Sequence, residues 1–275
     1  MCRLFAYVAP DVSAADRELG EAGIESLLSL ARLHGDGWGW AGVDRFGDAP
    51  DVRKSSRSAA VDPEFRAMLA VPGRAAMVHL RWATMGLPVQ PCNAHPFRVG
   101  EVAFEHNGSL KPIERIRSML SPETLASMTG DTDSEMYFAL IREQLAAGLT
   151  LPEATLRVVR RLRSAFPLSS LNAVLLDRER LVVVHASARS SLAADDLETI
   201  AEIDGLPEEH NDDYFAMRWR HEPDGTVLVG STGVASADWE ALPAESVTTV
   251  GLDDRTWHTE QLDADHPMPG QQLTH

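Results

Sequence analysis

The sequence predicts an α+β fold in which helices are grouped between sets of antiparallel strands. Three observations carry that prediction. The chain opens on a strand-like apolar run, its middle holds two strong helical stretches, and its second half is dominated by short β-rich runs joined by turn residues. No internal repeat, interdomain linker or low-complexity tract divides the chain. One domain is therefore expected over residues 1–266, followed by a mobile Pro- and Gln-rich tail over 267–275.

Taken in order, Leu4-Phe5-Ala6-Tyr7-Val8 reads as a strand closed by Pro10-Asp11. Ile24, Leu27, Leu28 and Ala31 then fall at helical spacing, predicting a helix from about Glu18 to Arg32 that stops at Gly35. In the stretch His34-Gly35-Asp36-Gly37-Trp38-Gly39-Trp40, glycine points to close backbone approach, and the tryptophans need large neighbours to cover them. Asp62-Pro63-Glu64 has the cap and first-turn proline of a short helix. Ala75 to Leu80 is a buried strand, which delivers His79-Leu80-Arg81-Trp82-Ala83-Thr84 into a Gly- and Pro-broken loop. A further strand over residues 101–105 runs straight into His106-Asn107-Gly108. An Asn-Gly pair usually turns a hairpin, but the helical look of Ile113 to Arg117 argues against one here.

Acidic residues around Asp131 and Asp133 lead into a helix through Met136 to about Gly148; one aspartate would cap it and leave the other free to bind. Thr150-Leu151-Pro152-Glu153 is a capping box for a helix reaching about Ala165, with Arg157, Arg160, Arg161 and Arg163 on its polar face. Leu171–Leu176 and Leu181–His185 form a hairpin across Asp177-Arg178-Glu179-Arg180. An acidic helical insertion from roughly Leu192 to His210 precedes strands near Tyr214–Arg220, Val227–Val229 and Val247–Val250.

Composition narrows the function classes. A formal charge of −16 over 275 residues argues against nucleic acid and anionic membrane as partners. Two cysteines, Cys2 and Cys92, make no disulfide framework. The apolar start is too short for a secretory core and no apolar run approaches membrane-spanning length, so a cytoplasmic protein is expected. His34, His79, His95 and His106 are dispersed, so no metal site or cofactor is expected.

Cys2 is the residue around which the chemistry gathers. If the initiator methionine is removed, thiol and free α-amine sit on one residue. An α-amine titrates near pH ~8, low enough to act as a base. The competing reading is a buried cysteine in a first strand. With Cys2, Arg81, Asn107-Gly108 and Asp133, the chain holds the pieces that hydrolysis of a glutamine γ-amide requires. The thiolate would attack, the terminal amine would relay the proton, and Asn107 with Gly108 would hold the oxyanion. Arg81 would bind the α-carboxylate and Asp133 the α-ammonium. For Arg81, a structural salt bridge is the competing reading.

Five motifs in order resemble those of the class II glutamine amidotransferases, a family of N-terminal nucleophile (Ntn) hydrolases. They are Met1-Cys2, His79-Leu80-Arg81-Trp82-Ala83-Thr84, Asn93-Ala94-His95-Pro96-Phe97, His106-Asn107-Gly108 and Thr132-Asp133-Ser134-Glu135. The resemblance covers about the first half of the chain. It implies a four-layer αββα sandwich of two antiparallel sheets, Cys2 as nucleophile, and Asn107 and Gly108 as oxyanion hole. It further implies Arg81 and Asp133 as holders of the substrate's charged end, with Trp82, Thr84 and His95 lining the glutamine site. Met85 stands where the glucosamine-phosphate branch often has histidine. His34-Gly35-Asp36-Gly37-Trp38-Gly39 replaces the usual Arg-Gly-x-Asp segment and resembles the stand-alone branch, which includes the γ-glutamyl hydrolase of ergothioneine synthesis.

The expected function is an amidohydrolase acting on linear amides, glutamine or another γ-glutamyl compound, with water as acceptor, because no synthase domain is expected after the hydrolase domain. The alternatives are a glutaminase subunit that delivers ammonia to a separately encoded synthase, and an inactive scaffold that binds a γ-glutamyl ligand. A homodimer or a separate synthase subunit are the protein partners these readings admit. Cys92 is expected to be structural.

Overall fold

The computed structural model describes residues 2–45, 47–83, 90–207, 210, 213–234 and 238–262. Two sheets stack face to face. The first joins β1 (Cys2–Ser13), β2 (Trp38–Val43), β3 (Asp51–Ser55), β4 (Gly73–Arg81), β9 (Met217–His221), β10 (Val227–Ser231) and β11 (Glu240–Ala241) in the order β11-β9-β10-β1-β4-β2-β3. The second joins β5 (Phe97–Val99), β6 (Val102–Asn107), β7 (Asn172–Leu176), β8 (Arg180–His185), β12 (Ser246–Gly251) and β13 (Trp257–Gln261) in the order β13-β12-β8-β7-β6-β5. Every pairing within these sheets is antiparallel.

Helices cover both outer faces, which gives the four-layer αββα sandwich. β1 shows why its sequence lacks polar alternation. Leu4, Ala6 and Val8 point into the space between the sheets, where they meet Ala75, Met77, Val174 and Leu176. Phe5, Tyr7 and Ala9 point the other way, beneath α1 (Ala15–Leu30) and α2 (Pro63–Leu69). Both faces are buried, so both must be apolar. On the far side, α5 (Asp133–Ala146) and α6 (Leu151–Ala165) pack Phe138, Ile141, Val159 and Leu162 onto Phe104 and Val182. Each such aliphatic or aromatic side chain stabilises the fold by roughly 1.5–3 kcal/mol through burial.

Local signals explain the helix ends. Asp62 accepts the Glu64 N–H at the start of α2, and Glu153 accepts the Thr150 N–H in the capping box of α6. The expected helix from Glu18 to Arg32 is observed over Ala15–Leu30, with a kink at Gly20, which takes φ 65°. Neither Asp131 nor Asp133 caps α5; the Thr132 hydroxyl accepts the Glu135 N–H instead. Within the expected helical insertion, α7 (Ala194–Ala201) forms, and residues 208, 209, 211 and 212 lie outside the described residues. Short helices α3 (Ile113–Arg117) and α4 (Pro122–Ser127) follow β6, so Asn107-Gly108 turns no hairpin. On α6, Arg163 pairs with Glu245 at 2.8 Å and Arg160 donates to the carbonyl of Leu262, so part of its arginine face holds the segments flanking β12 and β13. The strands at the ends of the two sheets, β3, β5, β11 and β13, are all absent from the sequence reading. The tail expected from Pro267 lies outside the described residues.

Candidate active site

Antiparallel pairing brings the chemistry together. β1 begins at Cys2 and β4 ends at Arg81, and the register sets these two opposite each other, with Leu4 opposite His79. In the facing sheet β6 ends at Asn107, opposite Asn172 of β7. Period two then dictates which side chains enter the space between sheets: Cys2 follows Leu4, His79 and Arg81 follow Met77, and Glu105 and Asn107 follow Ala103.

A hydrogen bond joins the two sheets at this end. The Cys2 N–H donates to Oδ1 of Asn107 at 2.9 Å, with both groups buried. That bond fixes which way the amide faces. Its Nδ2 is buried and has no hydrogen-bond partner among the described residues, a donor available to a negative oxygen beside the sulfur-bearing residue. The turn that follows is clamped. The Ser170 hydroxyl donates to the Asn107 carbonyl at 2.7 Å. His106 bridges from Ser170 O (3.1 Å, through Nε2) to the Ser134 hydroxyl (2.9 Å, through Nδ1). A carbonyl can only accept, so Nε2 carries the proton and Nδ1 accepts from Ser134 when the ring is neutral. Burial lowers the His106 pKa, which favours that neutral form. Gly108 has no room for a side chain: a Cβ there would strike the Ser170 carbonyl oxygen and stand 2.5 Å from His106 Nε2.

Asp133, in the first turn of α5, accepts Leu110 N–H at 2.6 Å on Oδ2 and Ser134 N–H at 2.9 Å on Oδ1. It therefore ties down the segment after Asn107-Gly108, and each oxygen keeps a lone pair for a further donor. Cys2, Arg81, Trp82, His95, Gly108 and Asp133 all line one small cavity of about 30 Å³, the other expected residue Asn107 reaching it through Cys2. Thr84 lies outside the described residues. Larger cavities of about 520 and 470 Å³ open elsewhere, beside Tyr214 and Phe215 and beside Arg178 and Asp253. Neither is lined by a cysteine, so chemistry rather than volume identifies the site.

The glycine–tryptophan stretch holds the arginine in place. Asp36 N–H donates to the Arg81 carbonyl and Arg81 N–H to the Gly37 carbonyl, at 3.0 and 2.9 Å. The Asp36 carboxylate accepts Ala83 N–H at 2.8 Å. Asp36 thus buttresses the Arg81-Trp82-Ala83 segment, a part the sequence reading did not assign although it singled out the motif. Gly39 lets the His95 segment approach β2, since a Cβ there would collide with the His95 carbonyl. Trp38 packs against Phe65 with ring centroids 5.5 Å apart and donates to Asp62, the large cover its motif called for. His79 and His95, far apart in sequence, meet with ring centroids 4.3 Å apart. Burial drives both pKa values well below the usual histidine range.

Comparison with known proteins shows what the chain is similar to. The sequence profile described as "Glutamine amidotransferases class-II" matches residues 1–200. Glutamine–fructose-6-phosphate aminotransferase (isomerizing) of Streptomyces coelicolor is 29% identical over 89% of this chain, which spans 40% of that enzyme's length. In solved structures, a glutamine aminotransferase class-II domain protein from Silicibacter pomeroyi superposes with a TM-score of 0.62 at 19% identity, covering 95% of this chain and 99% of that one. Glutamine phosphoribosylpyrophosphate amidotransferase from Bacillus subtilis gives 0.64 at 16% identity over 96% of this chain and half of its own. At such identities the likeness shows the fold alone. No helix among the described residues is long and apolar enough to cross a membrane.

Proposed function

The chain belongs to the class II glutamine amidotransferases, and from that premise we propose that it hydrolyses the γ-amide of glutamine or of a γ-glutamyl compound through a thioester on Cys2. Removal of Met1 converts the Cys2 N–H into a primary amine beside its own thiol. The amine takes the thiol proton, the sulfur attacks the γ-carbonyl, and the carbonyl oxygen gains the negative charge. Asn107 Nδ2 and the Gly108 main chain receive that oxygen. The amine then gives its proton to the leaving nitrogen, ammonia or an amine departs, and water releases glutamate from the thioester. Arg81 grips the α-carboxylate with its two-pronged guanidinium, and Asp133 accepts from the α-ammonium.

The observation that carries this reading is the Cys2–Asn107 hydrogen bond, which spends the amide oxygen on the nucleophile's nitrogen and leaves the amide donor open. A second reading, in which ammonia passes to a separate synthase, draws on the length of the Streptomyces relative, of which this chain spans 40%. Under it, glutamine turnover rises when the synthase is supplied; under simple hydrolysis it does not change.

The test is Cys2→Ala, assayed for glutamate release from glutamine and γ-glutamyl amides. Turnover should fall on the order of 10⁴–10⁶-fold with the melting temperature nearly unchanged. Undiminished release would remove Cys2 from the mechanism. If the wild-type protein releases nothing from any γ-glutamyl amide, the inactive-scaffold reading replaces this one.

A further inference from the structure

The proposed reaction uses the Cys2 thiol but has no task for the ring nitrogens of His79 and His95. Those nitrogens are the anomaly of the interior. Both rings are buried, and none of the four ring nitrogens has a hydrogen-bond partner among the described residues. The His106 main chain lies near enough to the His79 ring to favour its charged form, yet it does not meet hydrogen-bonding geometry. Buried polar atoms without partners are costly, and such a cluster marks a place where something binds. The Cys2 sulfur completes it. One ligand atom from each of Cys2, His79 and His95 can be chosen so that all lie within 4.8 Å of one another.

We propose that Cys2, His79 and His95 form a binding site for a thiophilic divalent cation of the zinc class, which caps the nucleophile and holds the enzyme inactive until the metal is withdrawn. The proposal rests on the reading of Cys2 as nucleophile. Ligand chemistry selects the ion: two imidazoles and a thiolate suit zinc, whereas magnesium and calcium require oxygen donors. A tetrahedral zinc site needs ligand atoms about 3.3–3.6 Å apart, from bond lengths of ~2.0 Å to nitrogen and ~2.3 Å to sulfur. Closing the widest separation, at most 4.8 Å, to those distances takes up to about 1.5 Å of side-chain movement. The α-amine of the processed Cys2 can supply the fourth ligand, because amine and thiolate of one cysteine close a five-membered chelate ring. On binding, the thiol proton goes to solvent and the sulfur lone pair to the metal. The sulfur can then no longer attack.

Cobalt(II) reports the site directly, because tetrahedral thiolate ligation gives a sulfur-to-cobalt charge-transfer band and strong visible ligand-field bands. The EDTA-treated wild-type protein should bind one cobalt with both signatures. Cys2→Ser should lose the charge-transfer band, and His79→Ala and His95→Ala should each weaken binding at least tenfold. The exposed His258→Ala should bind as wild type. Zinc should displace cobalt and protect Cys2, but not Cys92, from alkylation, with EDTA restoring reactivity. That protection experiment uses unaltered protein and so stands even if a histidine variant fails to fold. Absence of both the cobalt spectrum and zinc protection would overturn the proposal, as would unchanged affinity in both folded histidine variants. A protein that binds neither cobalt nor zinc yet loses turnover in Cys2→Ala would sink this inference and keep the catalytic reading. A metal-binding protein with no amidase activity would do the reverse.

Discussion

The two ends of the space between the sheets are built from the same strands and differ in almost everything else. At one end β1, β4 and β7 turn Ala6, Val8, Ala75, Met77, Val174 and Leu176 inward, an apolar seam that excludes water. At the other end the same strands, a few residues along, turn in Cys2, His79, Arg81 and Asn172, and β6 adds Glu105 and Asn107, all buried. Alternation and pairing are alike throughout; only the residue types change. The apolar end makes the sandwich stable, and the polar end carries desolvated groups with unmet hydrogen-bonding capacity that stability alone would not select. Concentrating polar groups at a strand end is how a rigid scaffold presents reactive groups to a ligand.

Substitutions at the two ends should therefore separate activity from stability. At the polar end, Asn107→Ala removes the open amide donor and should lower turnover by ~10²–10³-fold, with KM for glutamine altered far less. A proportional rise in KM at full turnover would mean that Asn107 binds the substrate rather than its oxyanion. At the apolar end, Met77→Ala should cost about 2–5 kcal/mol of unfolding free energy while the folded fraction keeps its turnover, as urea melts and steady-state rates would report. Equal damage to both quantities would erase the distinction between the ends.

The smallest effect is a pH dependence at Glu105. Burial pushes this carboxyl well above the usual range, and neither oxygen has a hydrogen-bond partner among the described residues. A carboxyl whose pKa is raised on folding contributes its stability below the unfolded value, and that contribution is lost as pH rises through the folded value. His79 and His95 act from the other side. Their pKa values are lowered on folding, so their contribution is full above the unfolded value of about 6.5 and is lost as pH falls through the folded one. Glu105→Gln should therefore raise the melting temperature more at pH 8 than at pH 4.5. Equal shifts at both pH values would show that Glu105 is not held protonated.

The same contrast explains what the sequence revealed. β1, β4, β7 and β8 were legible because burial forces continuous apolar runs, and α6 because its capping box and amphipathic spacing are local signals. β3 and β13 escaped because edge strands expose polar side chains: Asp51-Val52-Arg53-Lys54-Ser55 and Trp257-His258-Thr259-Glu260-Gln261 carry no alternation to read. Cys2, Arg81, Asn107-Gly108 and Asp133 stood out because their types and order match one chemistry. The approach of His79 to His95 was invisible, since it depends on a loop folding back over Gly39. Nor could sequence show that Asp133 also holds the Leu110 N–H.

The central claim is that a processed chain end supplies both the thiol and the amine. Intact-mass analysis of the purified native protein, before and after reaction with a diazo-ketone analogue of glutamine, tests it most directly. The account predicts a chain lacking Met1 that gains a single adduct, mapped to Cys2. A protein that keeps Met1 and still turns over glutamine, or an adduct that maps to Cys92, would contradict it.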